Sequence, residues 1–246
     1  ADGLDYHWRT GPHEEYCRHA PIEQRQHLAE SRRSCDFPRH SGFYIFDLAF
    51  AWQAAPRDDL LAQIRRFHDY WWEKRSERGL LLIESRTPAE EDRFYQIDAP
   101  PQTLSLATSL LESAQLLDEG RPDVAATMRE RAGVYIDGFF AAPHDPEGGV
   151  FVILCHRETR EVTRAMPIWG SVYGLWPASY VGLTCLCAWR LTQDDRLVDW
   201  ARAVGEAYAS EPLPGDVSIP AMDAGMGLDL LADLYGVTGE ARWLQA

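Results

Sequence analysis

Asp98 and Asp223 stand in matching surroundings, "YQIDAPPQT" (95 to 103) and "IPAMDAG" (219 to 225), each beside an alanine and just ahead of an apolar run. A short acidic side chain in front of a helix can act as a cap, accepting hydrogen bonds from the free N–H groups of the first turn. Two such groups facing one pocket can instead divide acid and base work. Apolar surroundings raise the pKa of one so that it donates a proton, while the other stays ionised as base or nucleophile. On the residues alone, both readings stay open.

A second constellation is Arg39, His40 and Tyr44. A cationic donor, a group titrating near neutral pH and a phenol could bind a sugar carboxylate and move a proton. The same residues could equally cap and fill a helix, with His40 and Ser41 at its start and Tyr44 packed inside. Gln102 follows Asp98 on the same approach and adds a polar binder. In "AMPIWGSVYGLWPASY" (165 to 180), Gly170 and Gly174 leave room for close approach, so Trp169 and Tyr173 are expected to stack on a sugar ring. Trp176 is expected to pack on the helix that follows. Asp47, Asp229 and Asp233 lie inside apolar helical runs, the first two near enough to the same end to support a site.

Five of the eight histidines (His7, His13, His19, His27, His40) fall in the first 40 residues near Glu14, Cys17 and Cys35, which invites a metal site. No pair there repeats a closed zinc spacing with a matching partner pair, so no metal is assigned. Cys185 and Cys187 are two apart on a helix and point in different directions; both are expected in the core. No P-loop, dinucleotide-binding glycine pattern or nucleophile elbow occurs, so no nucleotide or other cofactor is assigned.

What positions these residues is a helical hairpin that recurs. Residues 41–75, 103–140 and 177–210 each read as helix, tight polar turn, helix, and a fourth copy stops just after its turn. In each hairpin the first helix is apolar on nearly every face and the second is amphipathic. Around 197–208, for instance, Leu197, Val198, Trp200, Ala201, Val204 and Tyr208 share a stripe opposite Asp199, Arg202 and Glu206. The first helices are therefore inner and the second outer. Turns from inner to outer helix ("APRD", "DEGRP", "TQDD", "TGE") are short, whereas the return segments 76–102, 141–176 and 211–223 are long and aromatic. Long loops of this kind carry function, so the return segments are expected to line the main pocket. Within the second, "GGVFVILCHRETREVTRAM" alternates and predicts a β-hairpin turning at Arg157 to Arg160.

This hairpin architecture, with the "LTQDDRLVDWA" and "VTGEARWL" turns and the aromatic loops, resembles the (α/α) toroid shared by six-hairpin glycosidases, N-acetylglucosamine 2-epimerase-like proteins and several polysaccharide lyases. The resemblance implies an all-α toroid over 41–246 with a small β-hairpin in the 141–176 loop, and an irregular segment 1–40 packed on the pocket face. It implies inner-helix N-termini aimed at a central pocket, where free N–H groups and the helix dipole favour carboxylates and polar ligand atoms. It further implies a carbohydrate-active enzyme, foremost a glycoside hydrolase with Asp98 and Asp223 as catalysts. A polysaccharide lyase or sugar epimerase would use His40 and Tyr44 instead, and a non-catalytic glycan- or protein-binding module would use neither. Six hairpins need more chain than the three and a half present, so the ring is expected to be incomplete, with further chain or self-association covering the last hairpin.

With 24 Lys and Arg against 38 Asp and Glu, the net charge of -14 argues against nucleic acid and acidic membrane surfaces. No apolar stretch approaches the roughly 20 residues that span a bilayer, and "ADGLDYHWRT" lacks the features of a signal peptide, although the chain begins at Ala1 without Met. The expected ligand is a carbohydrate or uronic-acid-like small molecule. Five cysteines, odd in number and irregularly spaced, give no disulfide framework and mildly favour a reducing, cytoplasmic setting.

Overall fold

Prolines at 38, 100, 101 and 122 set where three of the helices begin, because a fixed φ and a missing N–H suit the first helical turn. In a computed structural model of the chain, which describes residues 38–82, 97–169, 176–211 and 221–245, α1 runs Pro38–Ala54 and α2 Asp58–Lys74. A short strand β1 (Ile97–Asp98) leads into α3 (Pro100–Leu117) and then α4 (Pro122–Ala141). Helix α1 thus begins three residues before the expected boundary at 41, so Arg39 and His40 lie in its first turn and not in a preceding segment. The described residues divide into two compact units. One lies within Ala1–Ala142 together with Leu154–Glu161, the other within Pro143–Ile153 together with Val162–Ala246.

In the first unit α3 is the enclosed element. Every residue from Pro100 to Leu111 is buried, and the helix packs on α4 and on α1. Helix α2 buries Leu60, Leu61, Ile64, Phe67, His68 and Trp71 and turns Arg65 and Arg66 outward, the expected outer pattern. The segment after α2 touches α4 backbone to backbone. Gly79 has φ +80°, and a Cβ at Gly138 would stand 2.6 Å from the Gly79 carbonyl carbon, so both positions need glycine. That contact fixes the stretch carrying Arg78, whose continuation pairs with β1 through a Leu82–Asp98 bridge and the Ala99 N–H to the Leu81 carbonyl (2.8 Å).

The β-hairpin forms where alternation predicted it, as β2 (Val152–His156) and β3 (Val162–Ala165), with Arg160 at φ 65° in its turn. Strand order is β1-β2-β3, with β1 and β2 antiparallel in the register Asp98 to Cys155.

The second unit contains α5 (Ala178–Thr192), α6 (Asp195–Ser210), α7 (Ala221–Thr238) and a closing 3-10 helix, Ala241–Leu244. Helix α5 packs on α6 and α7 and buries Cys185, but it is not surrounded, and Cys187 is exposed rather than in the core. Two residues on a helix differ by about 200°, so the pair cannot share a face. Helix α7 is half covered: Leu230, Leu231 and Leu234 are buried, while Met222, Leu228 and Tyr235 are exposed. The fourth copy, expected to stop just after its turn, ends in a single 3-10 turn. It is anchored by buried Trp243, whose indole N–H donates to Thr238 Oγ1 at 3.1 Å.

Candidate functional site

Burial of charge singles out two positions. Among the described residues, Asp98 and Asp223 are the only acidic side chains that are buried. Asp98 lies in β1, two residues before α3, and Asp223 in the first turn of α7. Each stands at the head of an inner helix, one in each unit. Neither is a simple cap in the expected sense: the N-cap of α3 is Ala99, with no side-chain cap bond, and Asp223 sits within its helix.

Asp98 is held by Arg157. The Arg157 Nε and Nη2 groups both donate to Oδ1, at 2.8 and 2.6 Å, and antiparallel pairing of β1 with β2 delivers the arginine to it. Burial pushes the Asp98 carboxyl above the ordinary aspartate range, while Arg157, Arg78 and His156 pull it back. Beside it, burial and the Asp98 charge push the Cys155 thiol up to about 11, which disfavours its thiolate. Sequence reasoning missed Arg157. It is 59 residues from Asp98, and only the pairing of a two-residue strand joins them.

At the start of α1, His40 is buried and its Nε2 lies 3.4 Å from Arg39 Nη2. The Gln102 side-chain oxygen accepts the Arg39 backbone N–H at 3.1 Å, so the first turns of α1 and α3 are linked through a residue expected to bind ligand. Tyr44 stacks its ring on Phe67 of α2, with centroids 5.9 Å apart. Asp47 is exposed.

In the second unit Tyr208, on outer helix α6, reaches the head of α5. Its hydroxyl donates to the Ile168 carbonyl at 2.6 Å and shares a hydrogen bond with buried Ser179 at 2.9 Å. Burial, with help from the Asp223 and Glu211 charges, pushes the phenol up to about 12. Trp169 meets the Tyr208 ring edge-on at 4.8 Å, so the indole expected as an open stacking surface is engaged in a packed pair. Trp176 packs on Tyr180, as expected. Asp229 is exposed, and Asp233 pairs with Arg190 at 3.1 Å. Tyr173 and the histidine- and cysteine-bearing residues 1–37 lie outside the described residues, as do 83–96, 170–175 and 212–220 of the return segments. No group of three or more possible metal ligands occurs among the described residues.

A cavity of about 480 Å³ lies at the opposite end of the first unit, lined by Trp52, Pro56, Arg57, Asp58, Asp59, Leu61 and Arg121. It borders the tight turns "APRD" and "DEGRP", where no site was expected. Its arginines are already engaged, Arg57 with Asp59 and Arg121 with Asp123. It therefore offers no cation free of a carboxylate.

These elements can be set beside solved structures. The chain is similar to the GH76 α-mannanase of Bacteroides thetaiotaomicron, with TM-score 0.54, 12% identity, and coverage of 86% of this chain and 55% of that one. It is similar to cellobiose 2-epimerase from Bacillus thermoamylovorans (TM-score 0.58, 11% identity, 86% of this chain and 57% of that one) and to a D-mannose isomerase (0.57, 11%, 99% and 73%). The chain has the (α/α)-toroid fold. It spans little more than half the length of the mannanase and of the epimerase. No family model and no curated protein matches it. At these identities the likeness is one of fold, and function rests on the site.

Proposed function

We propose that the chain is the working part of a carbohydrate-active enzyme whose site lies at the heads of its inner helices, and that its reaction is hydrolysis of a glycosidic bond. The observation that carries this reading is the placement of Asp98 and Asp223. Burying a carboxylate costs several kcal/mol unless charge or hydrogen bonds compensate. Helical hairpins do not need that cost, yet the only two buried acids among the described residues both head inner helices. In this reading each is a candidate catalytic carboxylate, Asp98 in the first unit and Asp223 in the second. Arg39, His40 and Gln102 supply polar contacts to the sugar, and Tyr173 supplies aromatic surface. No cofactor or metal is required for this chemistry.

A second reading is supported by the Arg39–His40 pair. A buried imidazole beside a guanidinium can carry a proton between faces of a sugar carbon, which is the chemistry of an epimerase or isomerase. Solved structures of similar fold include both hydrolase and epimerase.

The test is to incubate the protein in D2O with α-mannan oligosaccharides, cellobiose or mannose and follow the products by NMR. Hydrolysis releases reducing ends with no deuterium at C2, and Asp98→Asn or Asp223→Asn should lower the rate by roughly 100- to 10,000-fold. Deuterium at C2, abolished by His40→Gln, would replace the hydrolase reading with the second one. Turnover of none of these sugars would count against both.

A further inference from the structure

The two oxygens of Asp98 are not equivalent. Oδ1 accepts both Arg157 hydrogen bonds. Among the described residues Oδ2 accepts none, and it is not among the fully buried polar atoms that lack a partner. We propose that Arg157 is the positioning residue of Asp98, committing Oδ1 to the protein and leaving Oδ2 as the oxygen that meets the substrate. This rests on the reading of the site as a sugar-processing one.

Three features of the hairpin turn support the assignment. The Arg157 carbonyl accepts from Arg78 Nη1 at 2.9 Å, so the residue that carries the guanidinium is fixed from the segment joined to β1. His156 Nδ1 accepts the backbone N–H groups of Glu158 and Thr159, both at 3.2 Å, which closes the turn around Arg157. Arg160, in the left-handed region, sends its guanidinium to the Ala141 carbonyl and ties the turn to the end of α4. The turn therefore presents one guanidinium edge in one orientation, and that edge takes a single oxygen.

The geometry also has a chemical consequence. A proton carried by Asp98 belongs on Oδ2, because Oδ1 faces two N–H donors and has no room for a third hydrogen between them. Proton traffic to or from a glycosidic oxygen then passes through one atom of fixed direction, which is what a general acid or base requires. The groups facing this carboxyl are Arg157, His156 and Cys155 from the hairpin and Arg78 from the segment after α2. Removing Arg157 leaves burial less opposed, so the carboxyl should hold its proton to higher pH. Buried ion pairs of this kind add little net stability over an apolar pair, so stability alone does not account for Arg157.

The experiment uses the full chain with Arg157→Gln and Arg157→Lys, on whichever of the α-mannan oligosaccharides or cellobiose the wild type cleaves. Expected for Arg157→Gln is a kcat loss of about 100-fold with KM within about threefold. The pH–rate limb assigned to Asp98 should move upward together with the Asp98 carboxyl titration measured by NMR of 13C-labelled aspartate. Arg157→Lys should recover at least about tenfold of kcat, since it restores the charge but not the two-pronged contact. A folded Arg157→Gln protein with unchanged kcat and an unmoved pH limb would overturn the positioning role while leaving the hydrolase reading intact. A wild type that cleaves neither sugar would overturn that reading and this proposal with it.

Discussion

In the first unit, buried polar groups sit beside arginines. Asp98 takes two guanidinium N–H groups on one oxygen, and His68, 3% exposed, accepts through Nδ1 from Arg131, which also bridges to Asp69. In the second unit, the buried network is made of a phenol, a hydroxyl and a backbone carbonyl: Tyr208, Ser179 and Ile168. There the arginines that pair with acids, Arg190, Arg196, Arg202 and Arg242, do so where the side chains are roughly half exposed. The inner helices differ as well, α3 enclosed over most of its length and α7 open along one face. Both units bury polarity at the heads of inner helices, Asp98 in the first and Asp223 in the second, and in the first unit arginines stand against the buried groups Asp98 and His68. His68 of the first should make stability respond to pH between about 4 and 6.5, and the Tyr208 hydroxyl of the second should not.

The largest pH-linked effect that would break this contrast concerns His68. Burial, followed by the Arg131 charge, lowers its pKa from 6.5 to about 4. Between those values the unfolded chain binds the proton and the folded chain does not, so stability falls as pH drops from 6.5 towards 4 and is fully present above 6.5. The linked change is of order 3 kcal/mol. Urea titrations from pH 7 to 4 on the wild type and on His68→Gln should show the slope in the wild type and most of it removed in the variant. An equal slope in both would mean that the arginine-lined groups of the first unit do not govern its acid response. Asp98 acts in the opposite sense. Its raised folded pKa gives stability that is present below the unfolded value of 3.8 and lost as pH rises through the folded one.

How much of this was legible in the sequence follows from how far apart the cooperating residues lie. The hairpins and the β-hairpin are local: apolar spacing of 3.6 or 2, with "TQDD" and "HRETRE" as turns, already specifies α5, α6, β2 and β3. Asp98 and Asp223 were found because short acidic residues recur before apolar helical runs. Their partners were not, since Arg157 meets Asp98 across 59 residues, Arg131 meets His68 across 63, and Tyr208 meets Ile168 across 40. Periodicity marked Tyr208 only as a member of a buried stripe and did not single out His68. It also placed Cys187 inside, because composition does not report which neighbour is present to cover a face.

A smaller effect is expected at Tyr208. Tyr208→Phe keeps the ring against Trp169 and removes only the hydroxyl, leaving the Ile168 carbonyl and Ser179 short of a partner, at a cost of about 1 to 2 kcal/mol. The phenol titrates near 10 when unfolded and is pushed up to about 12 when folded, so its linked stability is present below 10 and lost above it. The difference between Tyr208→Phe and wild type should therefore be flat from pH 5 to 9 in the same urea titrations. A difference that grows or vanishes within that range would show that the second unit's network carries a titrating group after all.

The smallest effect, at Leu228, tests the open face of α7. Leu228 is 68% exposed, whereas Leu230, two residues on, is fully buried between α7 and its neighbours. Deleting the Leu230 side chain to alanine should cost about 2 to 5 kcal/mol, because burial is lost and a cavity is left. Leu228→Asn removes apolar surface that is already in water, so its cost should stay within about 0.5 kcal/mol. The pair measures whether α7 is as open in solution as α3 is enclosed. Should Leu228→Asn cost more than about 1 kcal/mol, something covers that face. A cost that also rises with protein concentration would identify the cover as a second copy, since only association makes stability depend on concentration.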